Sequence, residues 1–297
     1  MADTSDLAAV IERLDGVVAG AVARGSRTAI FPAMYRSVTD SVRTAIHHGG
    51  LFADEDRLQH LTVTFAGLYL DAEEAWRTGG EMPRCWRLAF EAAESPGRRM
   101  ILEDLLLGMN AHINYDLGIA TMRVAGGRLP EVYGDFLLVN EILFAKLDGL
   151  QERLGEVSPR LALLDRLGGP WDESVMRMSI RTARDLAWRF ADRLAEAADP
   201  AREMEERDGE TTAVGRLITR RWSPARLFGR FVAAAETGDL DAVVGVFGGV
   251  EIDLDAVAGR ASTEVSRPPT SDRPLQAAVV HRRPGRRRRP EGESPPG

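Results

Sequence analysis

The sequence predicts an all-α protein, a single multi-helix domain packed around a buried central helix at about 99–125, with a disordered C-terminal tail. Three observations carry this expectation. Apolar residues recur at three- and four-residue intervals through nearly every segment, and no alternating strand pattern or hairpin turn precedes the weak VEIDLDAV segment at 250–257. Glycine and proline clusters separate these segments at helix-length intervals. One segment, containing LLLGMNAHINYDLG from Leu105 to Gly118, has no strongly charged side beyond its first turn, so other helices must surround it.

In chain order, Asp6 to Ala23 is a helix in which Leu7, Val10, Ile11, Leu14, Val17 and Val18 form the apolar stripe. Phe31 to His47 is a second, with Pro32 in its first turn and Met34, Tyr35, Val38, Val42 and Ile46 inward. Asp54 to Trp76 follows, with Asp54 or Asp56 as the N-cap. On that helix His60, Thr64, Gly67, Asp71 and Glu74 share one face, while Phe65, Leu68, Tyr69 and Ala72 fill much of the remainder. Cys85 to Ala93 is short, and Arg98 to Ala125 is the central helix, where Gly108, at helical spacing from His112, would let another backbone or a ligand come close. Further helices are expected at Phe136 to Leu154, Leu161 to Leu167, from Asp172 or Ser174 to about Ala198, Thr211 to Arg220, Ser223 to Ala235 and Asp239 to Phe247. Arg177, Arg181, Arg184 and Trp188 stack along one stripe of the long helix before Ala198.

Composition divides the chain into a helical domain at 1–258 and a Pro/Arg-rich tail at 259–297. Residues 266–297 carry eight arginines against Asp272, Glu291 and Glu293. This net +5 leaves −12 on the preceding residues of a chain at −7 overall. Such a tail cannot bury a core. An acidic body argues against a nucleic-acid-binding domain, and the basic tail is the one place where nucleic acid or an anionic surface would be met. No apolar run approaches the ~20 residues that cross a bilayer. The acidic start begins no basic-then-apolar signal, and a lone cysteine, Cys85, permits no internal disulfide, so a cytoplasmic location is expected.

Three of the segments together resemble an actinobacterial all-helical family, domain of unknown function family 5995. They are YLDAEEAW at 69–76, LLLGMNAHINYDLG at 105–118 and RTARDLAWRFADRLA at 181–195. The resemblance extends over roughly Ala29 to Val250, with NAHINYDLG its most specific element. It implies a single helical domain with buried polar motifs and no particular activity.

The chemistry concentrates where polarity is least affordable. Asn110, His112, Asn114, Tyr115 and Asp116 fall within seven residues of an apolar helix, and buried polar groups need partners, a ligand or a metal. His112 and Asp116, one turn apart, can share a metal ion or form an acid–base pair in which Asp116 orients the ring. A single divalent metal would need Asp71, Glu74 or His60 to complete its ligand set; with five histidines in the chain, a larger cluster is excluded. In a metal-free pocket, Tyr69, Tyr115 and Trp188 would supply walls, and the arginine stripe of Arg177, Arg181 and Arg184 would hold a carboxylate or phosphate. The competing reading is structural: Asp116 pairs with His112 or with an arginine, and Asn110 and Asn114 bridge helices. No Gly-rich phosphate loop, nucleophile elbow or dinucleotide fingerprint is present. The sequence thus favours an enzyme acting on a small, apolar molecule in a pocket between helices. The alternative is a non-catalytic ligand-binding or interaction protein.

Overall fold

A computed structural model describes residues 5–96, 100–157, 173–219, 238–248, 252–254 and 256–257. Every regular element among them is helical, in one domain. The order is α1 (Ser5–Ala23), a 3₁₀ turn (Arg27–Ala29), α2 (Ile30–His48), α3 (Glu55–Thr78), α4 (Arg84–Glu94) and α5 (Ile101–Ala111). A π-helical turn (His112–Asp116) then leads into α6 (Leu117–Ala125), α7 (Leu129–Val157), α8 (Glu173–Glu196), α9 (Pro200–Thr219) and α10 (Leu240–Phe247).

The α5–π-turn–α6 rod is the axis of the domain. Its first half packs on α2, α4 and α9, its second half on α3, α6 being also in contact with α7 and α8, and the π-turn touches α3, α8 and α9. Glycines set how closely these helices approach. A Cβ at Gly108 would lie 2.4 Å from the Phe31 ring, and one at Gly118 would lie 2.4 Å from Phe190 Cδ1 and 2.9 Å from the Ala187 carbonyl. The close neighbour at Gly108 is thus an aromatic side chain rather than the backbone or ligand expected there. Phe31, Tyr69, Trp86 and Phe136 are buried beside the rod, each such side chain contributing roughly 1.5–3 kcal/mol.

Two helices are capped across the fold. The N-terminus of α4 follows Pro83, which provides no side-chain cap. Instead Asp208 of α9 accepts the backbone N–H groups of Arg84 (2.8 Å) and Cys85 (2.9 Å), placing a carboxylate at the positive end of the helix. Asp135 of α7 likewise accepts the N–H of Ala53 at 2.7 Å, just ahead of α3. Each cap fixes a helix that supplies the site.

Three boundaries differ from expectation. α9 begins at Pro200, well ahead of Thr211, because Asp199 caps the Arg202 N–H and Pro200 suits a first turn. Its early turns are mostly solvated charge, which hides a helix from an apolar-periodicity reading. α7 begins at Leu129, since Leu129 and Val132 are buried and Gly134 is accommodated. The central helix is not regular, having widened at the π-turn. The expected helices at 161–167 and 223–235 and the tail at 259–297 lie outside the described residues.

Candidate functional site

His112 sits at the widest point of the rod, 3% exposed. Across the π-turn the Leu117 N–H reaches back to the His112 carbonyl, five residues earlier. Such turns occur mostly as single insertions at functional positions. The ring lies flat on Phe65 (centroids 3.6 Å apart, planes at 9°) and meets Tyr35 edge-on at 4.3 Å. Phe31, Trp86 and Tyr69 complete an aromatic shell at 5.6, 6.0 and 6.3 Å.

Asp116 fixes the ring. Its Oδ2 lies 2.9 Å from His112 Nδ1 and accepts the indole N–H of Trp86, also at 2.9 Å. An indole N–H can only donate, so Oδ2 accepts from Trp86, and the proton between Oδ2 and Nδ1 follows the protonation state of the pair. His112 Nε2, by contrast, has no hydrogen-bond partner among the described residues. Burial, helped by the charge of Arg184, holds the imidazole well below its ordinary pKa. Burial also pushes the Asp116 carboxyl well above its ordinary range, against the Trp86 hydrogen bond and the charge of Arg123, with Asp208 and Asp71 adding to the rise. The two groups titrate as a unit. With one proton between them, Nδ1 carries it and Nε2 is a base. A second proton gives the neutral acid–imidazole pair that a dry site prefers to separated charges, and the ring then offers Nε2–H.

The ring borders a cavity of about 70 Å³ walled by α2, α3, the π-turn, α6, α7 and α8. Its wall is overwhelmingly apolar: Val42, Leu61, Phe65, Ile113, Phe136 and Leu143 are typical members. The polar exceptions are His112, Tyr35, Thr39, Thr62 and Arg184. Arg184 is 3% exposed. Its guanidinium stands 4.7 Å over the Phe136 ring and donates one bond to the Phe136 carbonyl, at 3.4 Å. Among the described residues no carboxylate pairs with it, and its Nε has no partner. Burial pulls its pKa down to about 9, which leaves it charged at neutral pH.

The residues singled out from sequence separate into two groups. His112 and Asp116 come together as a pair, with Tyr69 in the aromatic shell. Tyr69 is fully buried, and its hydroxyl is without a hydrogen bond among the described residues. The others lie elsewhere. Asn110 donates to the Thr211 carbonyl at 2.9 Å and accepts from Asn114 at 3.1 Å. Arg207 donates to the Asn114 carbonyl at 2.7 Å, and its guanidinium lies 5.6 Å from the Phe190 ring centre. Both asparagines thus latch the rod to α9. Tyr115 stacks on Phe190 of α8, and Trp188 packs edge-on against Tyr133 and Phe136.

Asp71, with His60 and Glu74, is exposed on the outer face of α3. The inner face is Leu58, Leu61, Phe65 and Tyr69, and leaving the ionisable residues outside avoids their desolvation cost. Among the described residues no group of three or more His, Cys, Asp and Glu side chains could hold a metal ion. Arg181 is half exposed and 3.7 Å from Glu141 rather than paired with Asp116. The side chain of Arg177 lies outside the described residues.

The sequence reading missed Trp86, Tyr35 and Phe65 as site residues, and it gave Arg184 no role apart from its stripe neighbours Arg177 and Arg181. Inward spacing on α2 and α3 marked Tyr35 and Phe65 as buried. Nothing in the order of residues links Trp86 to Asp116.

No helix among the described residues is long and apolar enough to cross a membrane. A family model described as Family of unknown function (DUF5995) matches residues 7–221, more than half of the chain. No curated protein and no solved structure matches it. The chain belongs to that family.

Proposed function

We propose that this member of the family is an enzyme acting on a small, apolar molecule bound in the cavity beside His112, with His112 as general acid–base. One observation carries the reading. The ring is held at Nδ1 by Asp116 and left open at Nε2, beside an apolar cavity. A carboxylate that orients an imidazole, with the far nitrogen free, is the arrangement in which a histidine passes protons to and from a bound molecule. Asp116 and Trp86 are positioning residues: they fix the ring's tilt and tautomer without bordering the cavity. Phe65 and Tyr35 clamp its faces and keep water out, so that a proton moved at Nε2 passes to the ligand rather than to solvent. A cytoplasmic location remains the expectation from the single cysteine.

The depth of the ring favours one second reading, a protein that holds the same kind of ligand without transforming it. With only 3% of His112 exposed, turnover would require the shell to open at each cycle. Turnover of a panel of small esters and ketones by the wild-type chain and by His112→Gln separates the two. The enzyme reading expects a loss of about 10²–10⁴-fold in the variant at unchanged circular dichroism. Turnover that survives His112→Gln contradicts it. Binding of panel members without turnover by the wild-type chain supports the second reading.

A further inference from the structure

We infer that the ligand of this cavity is an anion with a short apolar body, a carboxylate in the simplest case, and that Arg184 is the residue that receives its charge. The inference rests on the reading of the cavity as a ligand site and adds the class of molecule. Arg184 borders the same cavity as His112, is almost wholly buried, and pairs with no carboxylate among the described residues. Its one hydrogen bond to a described residue is the long contact with the Phe136 carbonyl, supplemented by the face of the Phe136 ring. A guanidinium presents five donors in a planar fork that matches two carboxylate oxygens. Here most of that fork is unspent.

An unpaired buried charge costs several kcal/mol, more than one carbonyl and one aromatic face return. Natural chains keep such a group where something arrives to neutralise it. The wall around the guanidinium decides what that something is. Val42, Leu61, Ile113 and Leu143 would meet hydrocarbon, so a bare inorganic anion would gain the charge contact and lose its hydration with nothing in return. A cavity of about 70 Å³ sets a short body. His112 lines the same cavity with its Nε2 unpartnered among the described residues; when protonated, that nitrogen would donate to the same anion or to a polar atom beside it.

Butanoate, butan-1-ol and butylammonium share a body and differ in charge, so they test the assignment directly. Their binding is followed by heteronuclear NMR of the Val42, Leu61 and Leu143 methyl groups. The wild-type chain is expected to bind butanoate at least tenfold tighter than the alcohol and to ignore the ammonium. Arg184→Met is expected to erase the preference for butanoate while keeping the alcohol. Equal or tighter binding of the alcohol by the wild-type chain overturns the carboxylate assignment and leaves the apolar site standing. Failure of all three to move the methyl signals overturns the site reading and this inference with it. If Arg184→Met does not fold, the wild-type comparison across the three charges still decides. Arg184→Lys then adds a cation without the fork, with butanoate expected to weaken at least fivefold; undiminished affinity in that variant would contradict bidentate capture.

Discussion

Two sides of the central rod carry buried polar groups, and they are treated differently. Toward α9, Asn110 and Asn114 bond to each other, to the Thr211 carbonyl and to Arg207. Toward the cavity, the Nδ1 side of His112 is bonded to Asp116, while Nε2, the Tyr35 hydroxyl and the Arg184 Nε have no partner among the described residues. On the first side both asparagines are bonded, although the Thr211 hydroxyl has no partner among the described residues, and such a network fixes the register of two helices. The second is bonded on one edge only, and its residues line the cavity. Buried polarity by itself therefore does not mark a site. Unspent donors and acceptors beside a cavity do, because each carries a desolvation cost that only an incoming molecule can recover.

The comparison can be broken from either side. The largest stability effect is expected on the side facing α9. Asn110→Leu removes a bond to the Thr211 carbonyl and strands the Asn114 amide, and should cost about 1–3 kcal/mol in urea unfolding while leaving butanoate binding unchanged. A loss of binding without a loss of stability would reverse the two roles. Next is Gly108→Ala, whose new Cβ would meet the Phe31 ring at 2.4 Å. Overpacking of this kind costs about 1–3 kcal/mol, and since Phe31 also borders the cavity, the His112 ring resonances should shift as well.

A smaller effect is a matter of pH. Burial raises the pKa of Asp116 and lowers that of His112. The folded pair thus keeps a carboxyl proton that the unfolded aspartate releases above about 3.9, and refuses a ring proton that the unfolded histidine takes below about 6.5. Between those values the two differences oppose each other. Above about 6.5 only the aspartate difference remains, so stability falls as pH rises through its raised folded pKa, by up to ~1.4 kcal/mol per pH unit. Melting temperatures of Asp116→Asn should lack that fall. A small stability effect is expected for His112→Phe, which keeps the stack on Phe65 and removes the unpartnered nitrogen, but also loses the Nδ1 bond to Asp116 and leaves that carboxyl with the Trp86 indole. Its stability should fall by no more than about 1–2 kcal/mol, although the proton-transfer group is gone. A loss of several kcal/mol would make His112 a structural residue like Asn110.

Much of this was legible in the sequence. Periodicity located the helices because each buries one stripe, and the apolar surroundings of NAHINYD identified a rod with other helices on all sides. The pairing of His112 with Asp116 followed from one turn of spacing. The rest depended on what no local pattern encodes. A single π-turn adds one residue to a helix without changing its composition, so the helical wheel misjudged which residues after His112 share its face. The choice between the two faces of α3 turned on desolvation: the wheel grouped His60 with Asp71, while burial selected Phe65 and Tyr69. The indole of Trp86 reaches Asp116 from thirty residues away in sequence, through a helix whose N-terminus is capped from α9. Arg184 resembled its stripe neighbours in sequence, and only the cavity sets it apart from Arg181, which is half exposed and meets the buried Glu141.

The most direct test is ¹⁵N NMR of the His112 imidazole at neutral pH, with and without saturating butanoate. The account predicts an Nε2 without a hydrogen-bond partner in the ligand-free protein, and a butanoate-dependent shift confined to that ring while the Asn110 and Asn114 side-chain amides stay still. An Nε2 already hydrogen-bonded in the ligand-free protein, and indifferent to butanoate, would contradict it.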